Sequence, residues 1–227
     1  MAVCKFHTGG RQMTELWTDI HMYFSENLGS YLTCLRAHIG ISILALLAAA
    51  AIGIPFGYVC VKNQKWNCWI TGVFQVLRII PSLAILILLI PVMGTGIKPA
   101  MTALVLLAVP PILMNTAAGF EEVPEFMLET AAGLGMTERQ IFWKVKVPMA
   151  MPMILAGVKT AAIEVIASAT IASKIGAGGL GDIILTGLSL NRTDLLLIGG
   201  VSVAVVSILA GVFFQQLEKI ILKYQYV

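Results

Sequence analysis

Charge is what this sequence has least of. Only 12% of its 227 residues are Asp, Glu, Lys or Arg, against 58% hydrophobic residues, and a soluble domain rarely carries so few charges. The deficit excludes an ordinary water-soluble fold and points to a chain that crosses a membrane several times. The net charge of +3 is small, and the basic residues form no stripe with interleaved aromatics, which excludes nucleic acid as a partner. Cysteine is equally uninformative: Cys4, Cys34, Cys60 and Cys68 show no C-x-x-C spacing, so neither a disulfide framework nor a metal site is expected. Cys60, beside an apolar run, reads as a small packed hydrophobe. His7, His21 and His38 stand at no ligand spacing and read as surface or interfacial side chains. The sequence has no G-x-x-x-x-G-K-[ST] phosphate cradle and no basic start, apolar core and cleavage site of a signal peptide.

What the chain has instead is apolar runs of membrane-crossing length, so its fold class is an all-α polytopic membrane protein with about five transmembrane helices. Residues 1–38 are polar and irregular, and Trp17, Ile20, Tyr23 and Phe24 recur at helical spacing, which predicts an interfacial amphipathic helix that does not cross. Residues 39–223 form one membrane domain with spans at about 39–61, 70–92, 99–120, 152–173 and 195–217. The first contains Gly53-x-x-x-Gly57, which lets helices approach closely, and Pro55, tolerable inside a bundle.

Several polar residues interrupt these runs. Arg78, followed by Ile79-Ile80-Pro81-Ser82, lies inside the second span, where an arginine either snorkels to an interface or pairs with a carboxylate at a gate. Pro110-Pro111 removes two adjacent donors from the third span and predicts a break or bend facing a cavity or neighbouring protein. Asn115, within a turn of it, lines a path or bonds to another helix. Lys159 and Glu164 in the fourth span stand about 140° apart around a helix, so they do not meet side by side; Glu164 is the deeper of the two. Residues 175–190 read as a flexible glycine-rich connection. Gly176-Ala177-Gly178-Gly179-Leu180-Gly181 spells a dinucleotide fingerprint, but without a preceding strand or a βαβ unit. Asn191-Arg192-Thr193 is a glycosylation sequon by spelling only.

The third and fourth spans are separated by a charged island, residues 121–148, with the grammar of two short helices. Pro124 suits a first helical turn, with Glu121 and Glu122 favouring the positive end of the dipole. The first helix runs to about Leu134, where Gly135 offers a left-handed stop. Thr137 and Gln140 spell a capping box for the second, which Pro148 marks off from the residues after it. Apolar Phe126, Met127, Ile141, Phe142 and Val145 accompany the charges, so a loop lying on the membrane surface also fits. With the island inside, Lys62, Lys65, Arg139, Lys144, Lys146, Lys219 and Lys223 all fall on the cytoplasmic face. The positive-inside rule then puts the N-terminus outside and the C-terminus in the cytoplasm.

The island also resembles a known signature. Glu129-Thr130-Ala131, three residues, Gly135, nine residues, Val145, one residue, Val147-Pro148 is similar to the EAA motif of ABC importer permeases, E-A-A-x3-G-x9-I-x-L-P; Thr130 and the two valines are the departures. Arg78-Ile79-Ile80-Pro81-Ser82-Leu83-Ala84, Pro111-Ile112-Leu113-Met114-Asn115-Thr116 and Ile175 to Gly181 resemble segments of the osmoprotectant (glycine betaine/carnitine/choline) uptake permeases of OpuC/ProW-like type. The resemblance covers roughly residues 39–223. It implies a MetI-like permease fold in a bacterial plasma membrane, with the island as coupling helices for a cytoplasmic ABC ATPase. Glu129, Thr130, Ala131, Gly135, Val145, Val147 and Pro148 would make that contact, and Arg78, Pro81, Ser82, Asn115 and Glu164 are the candidate pathway or gate. It further implies a second permease chain, identical or paralogous, and membrane lipid around the pair. Since the sequence ends at Val227, the solute-binding protein is expected to be a separate extracytoplasmic one. The chain itself is expected to be no enzyme and to hold no cofactor, with ATP and Mg in the partner ATPase. Glu164 stands where the resemblance leads one to expect an uncharged residue. Methionine, ergothioneine or bile-related solutes are the alternative cargoes; a passive channel or scaffold is the other class, although the isolated polar residues trace no continuous polar stripe.

Overall fold

A computed structural model describes residues 9–62 and 64–222, with side-chain surroundings for 15–62, 70 and 72–222. Cys4, His7 and Lys223, and the side chains of Lys65 and Cys68, lie outside the described residues. The elements, in order, are α1 (Gly9–Lys62), α2 (Gln64–Ile79), α3 (Ser82–Met93), α4 (Ile97–Glu121), α5 (Glu125–Gly133), α6 (Glu138–Ile141), α7 (Val147–Ala172), α8 (Leu180–Leu190) and α9 (Thr193–Ile221).

Glycines set the closest contact in the bundle. A Cβ on Gly53 would lie 2.9 Å from the Ile112 side chain, and one on Gly57 would lie 2.7 Å from both Leu113 O and Thr116 Cβ. The Gly53-x-x-x-Gly57 face of α1 is therefore pressed against α4, backbone to backbone. The pairing Gly53 with Ile112 and Gly57 with Thr116 also makes α1 and α4 parallel. On the other side of α4, a Cβ on Gly119 would meet Met153 and one on Gly157 would meet Asn115 and Pro111 O, so α7 runs antiparallel to α4. Leu104, Ile112, Leu113 and Val165 fill the core between these helices without exposed surface.

Four helices are long and apolar enough to cross a membrane, and α2 with α3 form a further pair bent by 97°. That pair starts beside Lys62, on the island side. Its far end, through Gly96, donates to Ile175 O at 2.6 Å, beyond the opposite end of α7. The bent pair thus traverses the bundle, giving the five crossings read from the sequence. The second span, read over 70–92, is broken in the middle: Pro81 adopts φ −57° and ψ 137°, extended values that no α-helix can pass through, and its ring forbids an amide bond back into α2.

Other expectations change in ways that packing explains. Pro110 and Pro111 do not break the third span: α4 is helical from Ile97 to Glu121. Both prolines are buried and clamped, with Gly53 of α1 against Val109 O and Gly157 of α7 against Pro111 O, so the helix has no space in which to open. Pro148 does not end the island's second helix either. The chain passes from α6 through a π-helical turn, Phe142–Lys146, directly into α7, with Val147 N donating to Phe142 O; the change from the wider π ring to the α ladder falls at Pro148, the residue that lacks an amide to donate.

The N-terminal helix forms as expected but runs into the first span without a loop, the local break falling at Asn27 (φ −118°, ψ 17°). Ile20, Tyr23 and Phe24 pack onto Leu180, Ile183, Leu195 and Ile198 of α8 and α9, while Trp17 is exposed. The stretch read as a flexible glycine-rich connection is a short turn followed by α8. Gly176, Gly178 and Gly179 take φ of +86°, +74° and +95°, and Ser173 Oγ donates to Gly178 O at 3.0 Å. Among the histidines, His21 is exposed, but His38 is wholly buried, a correction to the surface reading. Gly179 explains it: any Cβ there would meet His38 Nδ1 at 3.1 Å, so the missing side chain makes the space for the ring. Cys60 is buried as a packed hydrophobe.

Candidate functional site

The charged island folds into a compact foot at one end of the bundle, and each of its turns has a local cause. Helix α5 ends in a paired C-cap: Gly135 N donates to Ala132 O at 2.9 Å and Met136 N to Ala131 O at 3.1 Å. This two-bond ending needs a left-handed residue, which Gly135 supplies at φ +78°. Helix α6 opens on the capping box read from the sequence, with Thr137 N donating to Gln140 Oε1 at 2.9 Å and Gln140 N donating to Thr137 Oγ1 at 3.4 Å. Thr130, at the motif's second position, turns its hydroxyl back to Phe126 O at 2.7 Å, so it adds no outward-facing donor.

The foot presents two faces. Glu129, Thr130 and Gly135 are exposed, together with large apolar side chains: Phe126 at 63%, Leu134 at 78% and Trp143 at 60%. Ala131 is buried, and Val145, Val147 and Pro148 are half-buried towards the bundle. Val147 packs in the cluster around Phe120, Ala150 and Ile154. An aromatic clamp that sequence reasoning did not identify fastens the foot to two spans. Tyr58 of α1 lies 5.0 Å from Phe120 of α4 and 4.8 Å from Phe142 of the π-turn, ring centre to ring centre, and Phe120 stacks on Phe142 at 6.1 Å. Its only signal in the sequence is that Tyr58 and Phe120 stand near the ends of two apolar runs, with Phe142 in the island that follows.

The pathway candidates are divided between two places. Asn115 is a packing residue at the α4–α7 seam: its Nδ2 donates to Pro111 O at 2.8 Å. Pro81 and Ser82 form the elbow between α2 and α3. Arg78, at the end of α2, is exposed, and Glu164 on α7 is half-buried. The two form no ion pair, being further apart than 4.0 Å. The structure therefore places Arg78, Pro81 and Ser82 around one elbow, Glu164 on α7, and Asn115 at the α4–α7 seam. Lys159 takes no part, its position on α7 being turned about 140° from Glu164.

Other features are structural. Arg192 Nε donates to Asp194 Oδ1 at 3.2 Å, at the start of α9. A crevice of about 480 Å³ between α1, α7 and α9 is lined by Ile39, Leu46, Ile166, Leu209 and Phe213, with Ser42 among them. Ser42 donates to His38 O, so the crevice is apolar and suited to lipid chains rather than to a solvated charge. Among the described residues no group of His, Cys, Asp and Glu is placed to hold a metal ion.

Comparison with known proteins points the same way. Residues 30–223 match the family described as "Binding-protein-dependent transport system inner membrane component". The carnitine transport permease protein OpuCB of Listeria monocytogenes is 39% identical over 196 residues, 86% of this chain and 90% of the relative. The glycine betaine/carnitine/choline transport system permease protein OpuCB of Bacillus subtilis (strain 168) is 36% identical over 187 residues, 82% of this chain and 86% of the relative. Among solved structures, a chain of the inward-facing MetNI methionine ABC transporter superposes with a TM-score of 0.76 at 20% identity, over 86% of this chain and 98% of the other, which bears out the MetI-like fold. With the family matched over most of its length and these relatives spanning the same bundle, this chain belongs to the inner membrane components of binding-protein-dependent transport systems.

Proposed function

We propose that the chain is the permease subunit of an ATP-driven importer of quaternary amines such as glycine betaine, carnitine and choline. Two such chains, identical or paralogous, enclose the path. A cytoplasmic ABC ATPase holding ATP and Mg docks on the feet, and an extracytoplasmic solute-binding protein delivers the cargo. The N-terminus lies outside a bacterial plasma membrane and the C-terminus in the cytoplasm.

The foot is the observation that carries this reading. Exposed apolar side chains on a charged, well-capped pair of short helices need a protein partner, because water is a poor solvent for Phe126, Leu134 and Trp143. Glu129 and Gly135 are exposed on the same unit, and the aromatic clamp ties its motion to α1, α4 and α7. Closure of the ATPase on nucleotide then biases the bundle between inward and outward access through differential binding of the two states.

The test is reconstitution. The chain purified from its native membrane should bring an ATPase with it, and the complex in proteoliposomes, given the solute-binding protein, should accumulate labelled glycine betaine, carnitine or choline only with ATP inside. Equilibration of solute without nucleotide would assign the chain to passive conduction instead.

A further inference from the structure

The crevice between α1, α7 and α9 has a floor, two lips and a closed end. Ala162 and Ile166 of α7 form the floor and are buried, whereas the lips, Ile43 and Leu47 on α1 and Leu209 and Phe213 on α9, are exposed. Beyond the end furthest from the foot, α1 and α9 are fastened together. Tyr31 OH donates to Ser202 Oγ at 2.8 Å, since Ser202 gives its own proton to Ile198 O. From there towards the foot the two helices part, and α7 shows between them. No charged residue lines the space, and its one hydroxyl, that of Ser42, is already bonded to His38 O. All three helices belong to segments long and apolar enough to cross a membrane. Ala162 and Ile166 stand about 22 and 28 Å along α7 from its start at the foot, so the crevice opens onto hydrocarbon.

We infer that this crevice is a binding site for one acyl chain of a membrane phospholipid, held between α1 and α9 against α7. The volume fits. An apolar cavity of about 150 Å³ takes up benzene, with its six carbons. At that ratio the crevice's 480 Å³ takes on the order of nineteen carbons, the size of one such chain. A helix of a second copy would rest on the four exposed lips and reach the floor with only a side chain or two, leaving voids that forfeit dispersion contacts. A flexible chain fills the space down to the floor. Hydrocarbon offers no hydrophobic gain that favours one lipid position over another, so retention comes from packing against three helices at once instead of one. The small side chains of Ser42, Ala162 and Ala210 leave the room, and a large residue in their place closes it. The inference is independent of what the transporter carries.

The site is tested on the permease–ATPase complex in nanodiscs of phosphatidylethanolamine and phosphatidylglycerol, doped with phosphatidylglycerol that carries a mid-chain diazirine. After irradiation and digestion, mass spectrometry should find lipid adducts on Ala162 or Ile166, which lipid covering the outside of the bundle cannot reach. Adducts on Val201 and Ile208, exposed on α9, measure ordinary lipid contact in every sample. Ala210→Phe, which fills the crevice, should reduce the floor adducts about tenfold or more. Ala204→Phe adds the same bulk at an exposed position of α9 outside the crevice and should leave them unchanged. A bare floor in wild type beside labelled Val201 and Ile208 overturns the site, and so do floor adducts that persist undiminished in Ala210→Phe. Photoreactive p-benzoylphenylalanine in place of Leu209 identifies the occupant directly. A phospholipid adduct is expected, whereas a cross-link between two permease chains gives the crevice to a second copy and overturns the inference. Because the wild-type floor is read first, poor insertion of a variant cannot leave the question open.

Discussion

Substitution of Gly135 separates the folding of the foot from its docking. The residue sits at φ +78°, and a Cβ there would meet nothing within 4 Å, so the cost of a side chain is that of the left-handed backbone alone. For alanine this is about 1–2 kcal/mol, and less for Asn or Asp, which visit that region more readily. Against a typical stability of about 5–15 kcal/mol, none of these changes should unfold the foot. An ATPase groove closed over Gly135 would respond differently. Gly135→Asp places an unpaired carboxylate in a contact that loses its water, a penalty on the order of 3–5 kcal/mol, or a hundredfold or more in affinity. Gly135→Asn has nearly the same shape without the charge. The expected order of ATP-dependent uptake is therefore wild type, then Ala and Asn with partial activity, then Asp with none, at equal amounts of inserted protein. The assay is uptake in proteoliposomes beside co-purification of the ATPase. Full activity of Gly135→Asp would refute docking at this surface, and equal failure of all three variants by loss of insertion would refute the open-space argument.

The same structure fixes other outcomes. Phe142→Ala removes the ring that touches both Tyr58 and Phe120, at a cost of about 1–3 kcal/mol from two aromatic pairs and lost area; ATP hydrolysis should continue while uptake falls, and Phe142→Leu should retain part of the uptake. Gly57→Leu must force α1 away from Leu113 O and Thr116, so a drop in thermal stability in detergent equivalent to about 1–3 kcal/mol or more is expected, with Gly29→Leu, where a Cβ meets nothing within 4 Å, as the neutral control. Thr137→Ala removes one half of the capping box and should cost about 1 kcal/mol, seen as faster hydrogen exchange in α6 with the spans unchanged.

The sequence was most legible where chemistry is local. The capping box at Thr137 and Gln140 and the left-handed stop at Gly135 depend on neighbours within a few residues, and both are found as read. What failed depends on distant partners. Pro110 and Pro111 look like breakers until α1 and α7 are known to clamp them. His38 looks interfacial until a glycine about 140 residues later is found to leave room for it. Pro148 looks like a boundary because a π-turn, which adds one residue to a helical ring, has no signature in composition. The site divides along the same line: the motif's spacing located the foot, but only three-dimensional packing shows Asn115 to be a seam residue between α4 and α7.

The π-turn at Phe142–Lys146 has a mechanical meaning. It splices the foot to the rod that bears Glu164, about 33 Å further along the axis. No slack tether intervenes to absorb a push, so a displacement of the foot is passed directly to the start of that rod. Transmission of this kind resembles a piston more than a hinged lid, and it would be lost by severing or softening the splice rather than by altering either of its ends.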